Sequence, residues 1–185
     1  MKEEKQDRQS RNTKEKANFV QGHTYACVAS ACACMAGESS NNWFLDSGAS
    51  THCTNDANLF QTLRPENSSI LVGDNRQIPV TGKGTIKLHT VADNKLNTLL
   101  LKDVSLVPKL GMNLLSMARI EENGFKKIAS NGKCDIIKED NLVACAKRNQ
   151  GNPFLYEIDC VKNLLLLRCC GEPASPTSFF LEDSF

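Results

Sequence analysis

The chain has 185 residues and a net charge of +1, so one domain with appendages is expected and no bulk electrostatic attraction draws it to nucleic acid. The longest apolar run of its C-terminal part, Leu164 to Leu167, is four residues, against the about 20 that a spanning helix needs. The start, Met1-Lys2-Glu3-Glu4-Lys5, lacks the apolar core of a secretory signal. Nine cysteines, an odd number without such a signal, favour reduced thiols and a cytoplasmic or nuclear setting, with no membrane partner.

In chain order, residues 1–18 alternate charged and amide side chains and cannot bury enough apolar surface to offset their ordering entropy. Residues 19–40 are richer in Ala and Cys and end in the polar run Gly37 to Asn42, so 1–40 reads as a disordered segment and linker. His23, Cys27, Cys32 and Cys34 cluster there. No C-x-x-C pair occurs anywhere in the chain, so neither a metal nor another cofactor is expected.

Trp43-Phe44-Leu45 then lead into Asp46-Ser47-Gly48-Ala49-Ser50. Three apolar residues before an acid, a hydroxyl and a glycine predict a short buried strand that opens into a tight turn. Asp46 would be carried on a rigid strand end, above an apolar shelf that can move its pKa, and Gly48 would allow close backbone approach. The tripeptide alone equally marks an ordinary turn. His52, six residues after Asp46, has no nucleophile or metal partner at a defined spacing and reads as a polar surface side chain.

A short, helix-like turn is expected from Asp56 to Phe60, and then a β pattern begins. Ile70 to Val72, the turn Gly73-Asp74-Asn75, and Ile78 to Val80 predict a hairpin. Pro79 suits an edge position because it lacks an N–H. Gly82-Lys83-Gly84 marks a bend or bulge and lacks the rest of a phosphate loop. Thr85 to Val91 alternates as a half-buried strand, Asp93-Asn94 turn it, and strands follow at Asn97 to Leu101 and Val104 to Val107. Asn113 is the expected N-cap of a helix from Leu114 to Asn123, with Gly124 ending it. Short strands at Phe125 to Ile128, Cys134 to Ile137, Leu142 to Ala146 and Phe154 to Ile158 predict a β-meander over 125–160. Pro173, Pro176 and several serines predict a loose tail over 161–185.

Several of these pieces, in one order, resemble the aspartic protease region of copia-type LTR retrotransposon Pol polyproteins. They are Trp43-Phe44-Leu45-Asp46-Ser47-Gly48-Ala49-Ser50, Val72-Gly73-Asp74, Gly82-Lys83-Gly84, Leu101-Lys102-Asp103-Val104, Val107-Pro108 and Asn113-Leu114-Leu115-Ser116. Gly124-Phe125-Lys126 and Leu155-Tyr156-Glu157-Ile158-Asp159 also fit, the latter as the start of the pre-integrase segment. The resemblance covers roughly residues 41–160 and rests on the order and spacing of the motifs.

The resemblance implies an all-β fold: a small closed retropepsin-like barrel over 41–124 with one short helix, followed by the meander. It implies a homodimer, because the chain has a single Asp-Ser-Gly. Asp46, Ser47 and Gly48 of each subunit would form the catalytic centre, with the two Asp46 carboxylates sharing one proton. Ser47 would brace the loop by hydrogen bonding. Val72, Gly73, Asp74 and Asn75 would form a substrate flap, and Asn113, Leu114 and Leu115 would support the Asp46 loop. The implied substrate is a Gag-Pol-type polypeptide. The alternative is a catalytically inactive, truncated or domesticated β-barrel dimerisation or binding module, since the zinc knuckle, integrase and reverse transcriptase of such polyproteins do not occur in the 185 residues. A nucleic-acid-binding role is disfavoured by one tryptophan, two tyrosines and near-neutral charge.

Overall fold

The apolar run before Asp46 forms a strand buried on both faces. The computed structural model describes residues 42–151 and 155–161, together with the strands Thr24–Ala26 and Thr177–Leu181. These two strands lie in the segments expected to be disordered and loose. The rest of both segments, with His23, Cys27, Cys32, Cys34, Cys169 and Cys170, falls outside the described residues.

The elements are β1 (Thr24–Ala26), β2 (Trp43–Asp46), β3 (Cys53–Thr54), a 3-10 turn (Ala57–Leu59), β4 (Phe60–Val72), β5 (Gln77–Ala92) and β6 (Lys95–Leu106). They continue as β7 (Asn113–Ser116), α1 (Met117–Glu122), β8 (Lys126–Ser130), β9 (Lys133–Lys138), β10 (Asn141–Arg148), β11 (Tyr156–Ile158) and β12 (Thr177–Leu181). All twelve described strands join one sheet in the order β1-β4-β5-β6-β3-β7-β2-β11-β10-β9-β8, with β12 beside β6.

Among the described residues the fold is all-β with one short α-helix, as the resemblance implies. It is not the closed cylinder expected: among the described residues, no ladder of strands joins the ends of the sheet. The sheet instead curls until β5 meets the chain just after β11. There the contact is a single antiparallel bridge, Thr90 to Cys160, flanked by Val91 N–H to Asp159 O at 3.4 Å and Val161 N–H to His89 O at 2.9 Å. The buried Thr90 hydroxyl donates to Val143 O at 2.6 Å and ties β5 to β10.

Two cores sit on opposite faces of β2. Trp43 and Leu45 point into one, with Ile86, Leu99, Leu101, Val104 and, from the meander, Ile136, Val143 and Ile158. Phe44 points into the other, with Cys53, Ile70, Val72, Val80, Leu110, Met112 and Leu114. Trp43 and Phe44 are each about 1% exposed, and burying such side chains stabilises by about 2 kcal/mol apiece.

The local turns form where their residues favour them. Asp93 and Asn94 (φ 50 and 58), and Asn131 and Gly132 (φ 49 and 75), are all left-handed, the two-residue hairpin geometry that Asn, Asp and Gly tolerate. Pro79 lies on β5 beyond the ladder with β6, which begins at Gly82. The β5–β6 register breaks between Gly84 and Ile86, a bulge beside which Asp103 adopts φ 52.

The helix begins later than the sequence pattern predicts. Asn113 to Ser116 form β7, and α1 starts at Met117 with Ser116 as its N-cap. Leu114 and Leu115 suit either a helix or a buried strand, and pairing with β2 decides for the strand. Gly124 does end the helix, at φ 73 with its N–H bonded to Glu121 O at 2.9 Å.

Substitution and truncation test this packing. A Cβ on Gly84 would lie 1.8 Å from Thr62 O, a backbone atom of the paired strand, whereas one on Gly82 would first meet the flexible Leu63 side chain at 2.8 Å. Gly84→Ala should therefore cost about 3 kcal/mol and Gly82→Ala about 1 kcal/mol, read as shifts in the urea midpoint; equal costs would contradict the close β4–β5 approach. A chain ending after Phe125 should lose cooperative thermal unfolding, because it would lack Cys134, Ile136, Val143, Ala144, Ala146 and Ile158 from the core around Trp43. A truncated chain melting like the whole one would show that the meander is dispensable.

Candidate active site

Asp46 ends β2, and the chain then loops to β3. Strand β7 lies between the two, parallel to β2 and antiparallel to β3. The pairs Trp43–Asn113, Phe44–Leu114, Leu45–Leu115 and Asp46–Ser116 set the register. The stretch expected to support the loop is thus its neighbouring strand. All of Asn113, Leu114, Leu115 and Ser116 are buried. Asn113 Oδ1 accepts from the Thr54 hydroxyl at 2.7 Å, which fastens β7 to β3.

Asp46 is 9% exposed. Its Oδ1 accepts the Gly48 N–H at 2.8 Å. Its Oδ2 is buried and has no hydrogen-bond partner among the described residues. Burial pushes the carboxyl's pKa up, and the Gly48 and Ala49 amides pull it back only in part. Ser47 is exposed and Gly48 half-buried. Gly48 contributes its amide to the carboxylate.

Hydrogen bonds from β7 and α1 pin the loop at Ala49, Ser50 and His52. The Ser116 hydroxyl donates to Ala49 O at 2.6 Å and accepts the Arg119 N–H at 3.2 Å. Arg119 Nε donates to Ser50 O at 3.1 Å. His52 is buried, 3% exposed, contrary to the surface side chain expected. Its Nδ1 accepts the Ser116 N–H at 3.0 Å. The backbone donor makes Nδ1 the unprotonated nitrogen. Burial, with a smaller push from Arg119, lowers its pKa to about 3. Ser116 as N-cap is legible from cap preference. Nothing local marks His52 or Arg119, whose partners are 64 and 69 residues away.

Cys53 is beside the site but inert: burial first, then the Asp46 charge, push its thiol up to about 12. The Gly73–Asn75 turn forms the tip of the β4–β5 hairpin, with Asn75 at φ 65 and its N–H bonded to Val72 O at 2.8 Å. Asp74 accepts Arg76 N–H at 3.1 Å and Arg76 Nε at 2.6 Å. The turn is exposed, while Val72 below it is buried in the same core as Phe44, two residues before Asp46. Asp46 and the β7 stretch are therefore in one constellation, and the hairpin joins it through that shared core.

Residues 43–125 match the family described as Pol polyprotein, beta-barrel domain. Individual transposon proteins are similar to the chain as well. The chain is 37% identical over 84 residues to the retrovirus-related Pol polyprotein from transposon RE1 of Arabidopsis thaliana, covering 44% of this chain and 6% of that protein. It is 31% identical over 114 residues to the one from transposon TNT 1-94 of Nicotiana tabacum, covering 61% of this chain and 8% of that protein. It is 33% identical over 79 residues to the putative transposon Ty5-1 protein of Saccharomyces cerevisiae, covering 42% of this chain and 49% of that protein. The chain thus spans under a tenth of the two Pol polyproteins and about half of the yeast protein. No solved structure matches it significantly.

Asp46 and His52 push stability in opposite directions with pH. Asp46, with its pKa raised, contributes stability that is present below its ordinary 3.8 and lost as pH rises through its folded value. His52, with its pKa lowered, contributes stability that is present above its ordinary 6.5 and lost as pH falls toward about 3. Asp46→Asn should be at least as stable as the parent at pH 7, with the difference vanishing near pH 4. His52→Asn should remove a slope of up to about 1.4 kcal/mol per pH unit below pH 6.5. Urea melts of the three proteins from pH 4 to 8 read both effects; parallel curves would refute the assignment of these groups as the buried titrating pair.

Proposed function

We propose that the chain is the aspartic endopeptidase region of a retrotransposon Pol polyprotein, and that two copies pair their Asp46 carboxyls into one dyad cutting Gag-Pol-type polypeptide. The state of Asp46 carries this reading. A buried carboxyl with one oxygen anchored by Gly48 N–H and the other without a partner among the described residues is destabilising alone. A second carboxyl and a water would supply the missing contacts.

Two such groups a few ångströms apart cannot both ionise, so the pair holds one proton. The charged member takes a proton from the shared water as its oxygen bonds to the peptide carbonyl carbon. The protonated member gives its proton to the carbonyl oxygen. Collapse of the tetrahedral intermediate breaks the C–N bond, and the leaving amine takes a proton from the dyad. The raised proton affinity of Asp46 suits this sharing. The Gly73–Asn75 turn, exposed and at the tip of the β4–β5 hairpin, serves as the flap that excludes water.

The test is cleavage of a Gag-like polypeptide by the full chain at mildly acid pH, over a range of protein concentration. Specific activity should rise with concentration, fall with pepstatin, and drop by at least about 1,000-fold in Asp46→Asn. Retained cleavage in that variant would remove Asp46 from the mechanism. A folded dimer that cuts nothing would favour the non-catalytic module instead.

A further inference from the structure

The described side chains that the proposed chemistry does not use include one enclosed titratable group at hydrogen-bond distance from the strand that braces Asp46. That group is His52. Its ring sits between β2's loop and β7, and Nδ1 takes the N–H of Ser116 at 3.0 Å. Ser116 is the hub of the loop: its hydroxyl holds Ala49 O and receives Arg119 N–H, and Arg119 Nε in turn holds Ser50 O. From the other side, Ser105 N–H donates to His52 O at 2.9 Å, and the neighbouring Thr51 hydroxyl reaches Asp103 O at 3.4 Å. The residue is thus held by β6 through its backbone and holds β7 through its ring.

We propose that His52 is a positioning residue for Asp46: by accepting the Ser116 amide it fixes the hub that clamps Ala49 and Ser50, and so sets where the Asp46 carboxyl stands. As a role in the reaction this rests on the aspartic-protease reading. The geometry of the clamp does not.

The argument is one of donors and acceptors. The Ser116 N–H belongs to the last residue of β7, beside Asp46 on β2 and just before α1. A buried N–H without an acceptor is destabilising, so losing Nδ1 would displace the strand end or admit water. Either movement shifts Ser116 Oγ, which is bonded to Ala49 O, next in the chain to Gly48, the residue whose amide anchors Asp46. Protonation of the ring would turn the acceptor into a donor facing a donor. The surrounding elements carry the charged groups Arg119, Glu121 and Glu122 on α1, Asp46 at the end of β2, and Lys95, Lys102 and Asp103 on β6. Arg119 opposes imidazolium, and burial opposes it more. The clamp therefore stays closed through the mildly acid range in which an aspartic dyad works.

Replacement chemistry separates positioning from mere filling of space. In His52→Asn, the new Oδ1 would stand about where Nδ1 stands now. In His52→Gln, the polar end of the side chain would instead reach about as far as Nε2. His52→Ala offers no side-chain acceptor at all. The experiment uses the full chain with three readouts. In the parent at pH 7, nitrogen NMR should show His52 as the Nε2–H tautomer coupled to the Ser116 amide; an Nδ1–H tautomer overturns the proposal without any variant. In His52→Asn, the carboxyl of Asp46, followed by its carbon shift, should titrate as in the parent. In His52→Gln and His52→Ala it should titrate closer to its ordinary value; an unchanged midpoint in a folded His52→Gln variant overturns the proposal.

Where the parent cleaves peptide, His52→Gln should lower kcat at least about tenfold with KM within about twofold, and His52→Asn should restore it. A parent that cleaves nothing defeats the protease reading alone, because the tautomer and the Asp46 titration still decide whether His52 positions the carboxyl. A parent that cleaves, beside a His52→Gln variant with unchanged kcat, defeats the positioning role alone.

Discussion

The parallel pairing of β2 with β7 is the interaction on which the rest of the molecule depends. It brings residues 43–46 against residues 113–116, a separation of 70 positions in the register Trp43–Asn113. Parallel strands need a long crossover, and here the whole β3-to-β6 ribbon is that crossover. Its return places β7 between the two arms of the Asp46 loop. The end of that strand and the helix that follows it then hold the loop at Ala49, Ser50 and His52, and β6 holds it at Thr51 and His52. The apolar content of β2 enforces the pairing: with Trp43 and Leu45 in one core and Phe44 in the other, a one-residue slip would exchange the faces.

That burial has an electrostatic consequence. The same enclosure that stabilises Phe44 and Leu114 extends to Asp46 and His52, and it disfavours the charged form of each. For the acid this means a raised pKa, for the base a lowered one. Folding therefore favours the neutral form of both over an intermediate pH range, although each alone would be ionised over part of it in an unfolded chain. Their contributions to pH-dependent stability oppose one another from pH 3.8 upward, for as long as folded Asp46 keeps its proton and the pH is below the ordinary 6.5 of His52. A flat stability profile there would conceal two cancelling effects, which is why single substitutions are more informative than the parent curve.

Local chemistry is readable from the sequence wherever it is self-sufficient. Asp93-Asn94 and Asn131-Gly132 tolerate left-handed backbone, and their turns fall where those residues stand. The bulge around Gly82-Lys83-Gly84 follows from a residue that must admit Thr62 O at close range. Where two local solutions have similar merit, tertiary pairing chooses between them: Leu114-Leu115 is strand because β2 needs a neighbour. The full length of β4 is not legible, because its first half is mostly exposed and shows no alternation. His52 escapes a local reading for a related reason. A histidine among Thr and Asn looks like surface, and only the arrival of Ser116 from 64 residues away encloses it. The position of Asp46 at a strand end is readable from three apolar residues; the clamp around it is not, since its parts are held on separate strands.

The boundary of the family match and the boundary of the fold do not coincide. The match ends at residue 125, yet the sheet continues from β2 into β11, with Tyr156 opposite Leu45 and Glu157 opposite Phe44. Continued by one residue, this antiparallel register sets Leu155 across from Asp46, and Leu155 packs against the core that holds Phe44. The meander is therefore more than a following segment that happens to touch the strands before it. It covers the free edge of the strand that presents Asp46, and it supplies Ile136, Val143, Ala146 and Ile158 to the core under Trp43. An edge strand left uncovered is a liability for pairing with other chains, and one with both faces apolar is more so. The physical unit that keeps Asp46 in place thus runs from Trp43 to at least Cys160, where the bridge to Thr90 draws β5 and the end of the meander together.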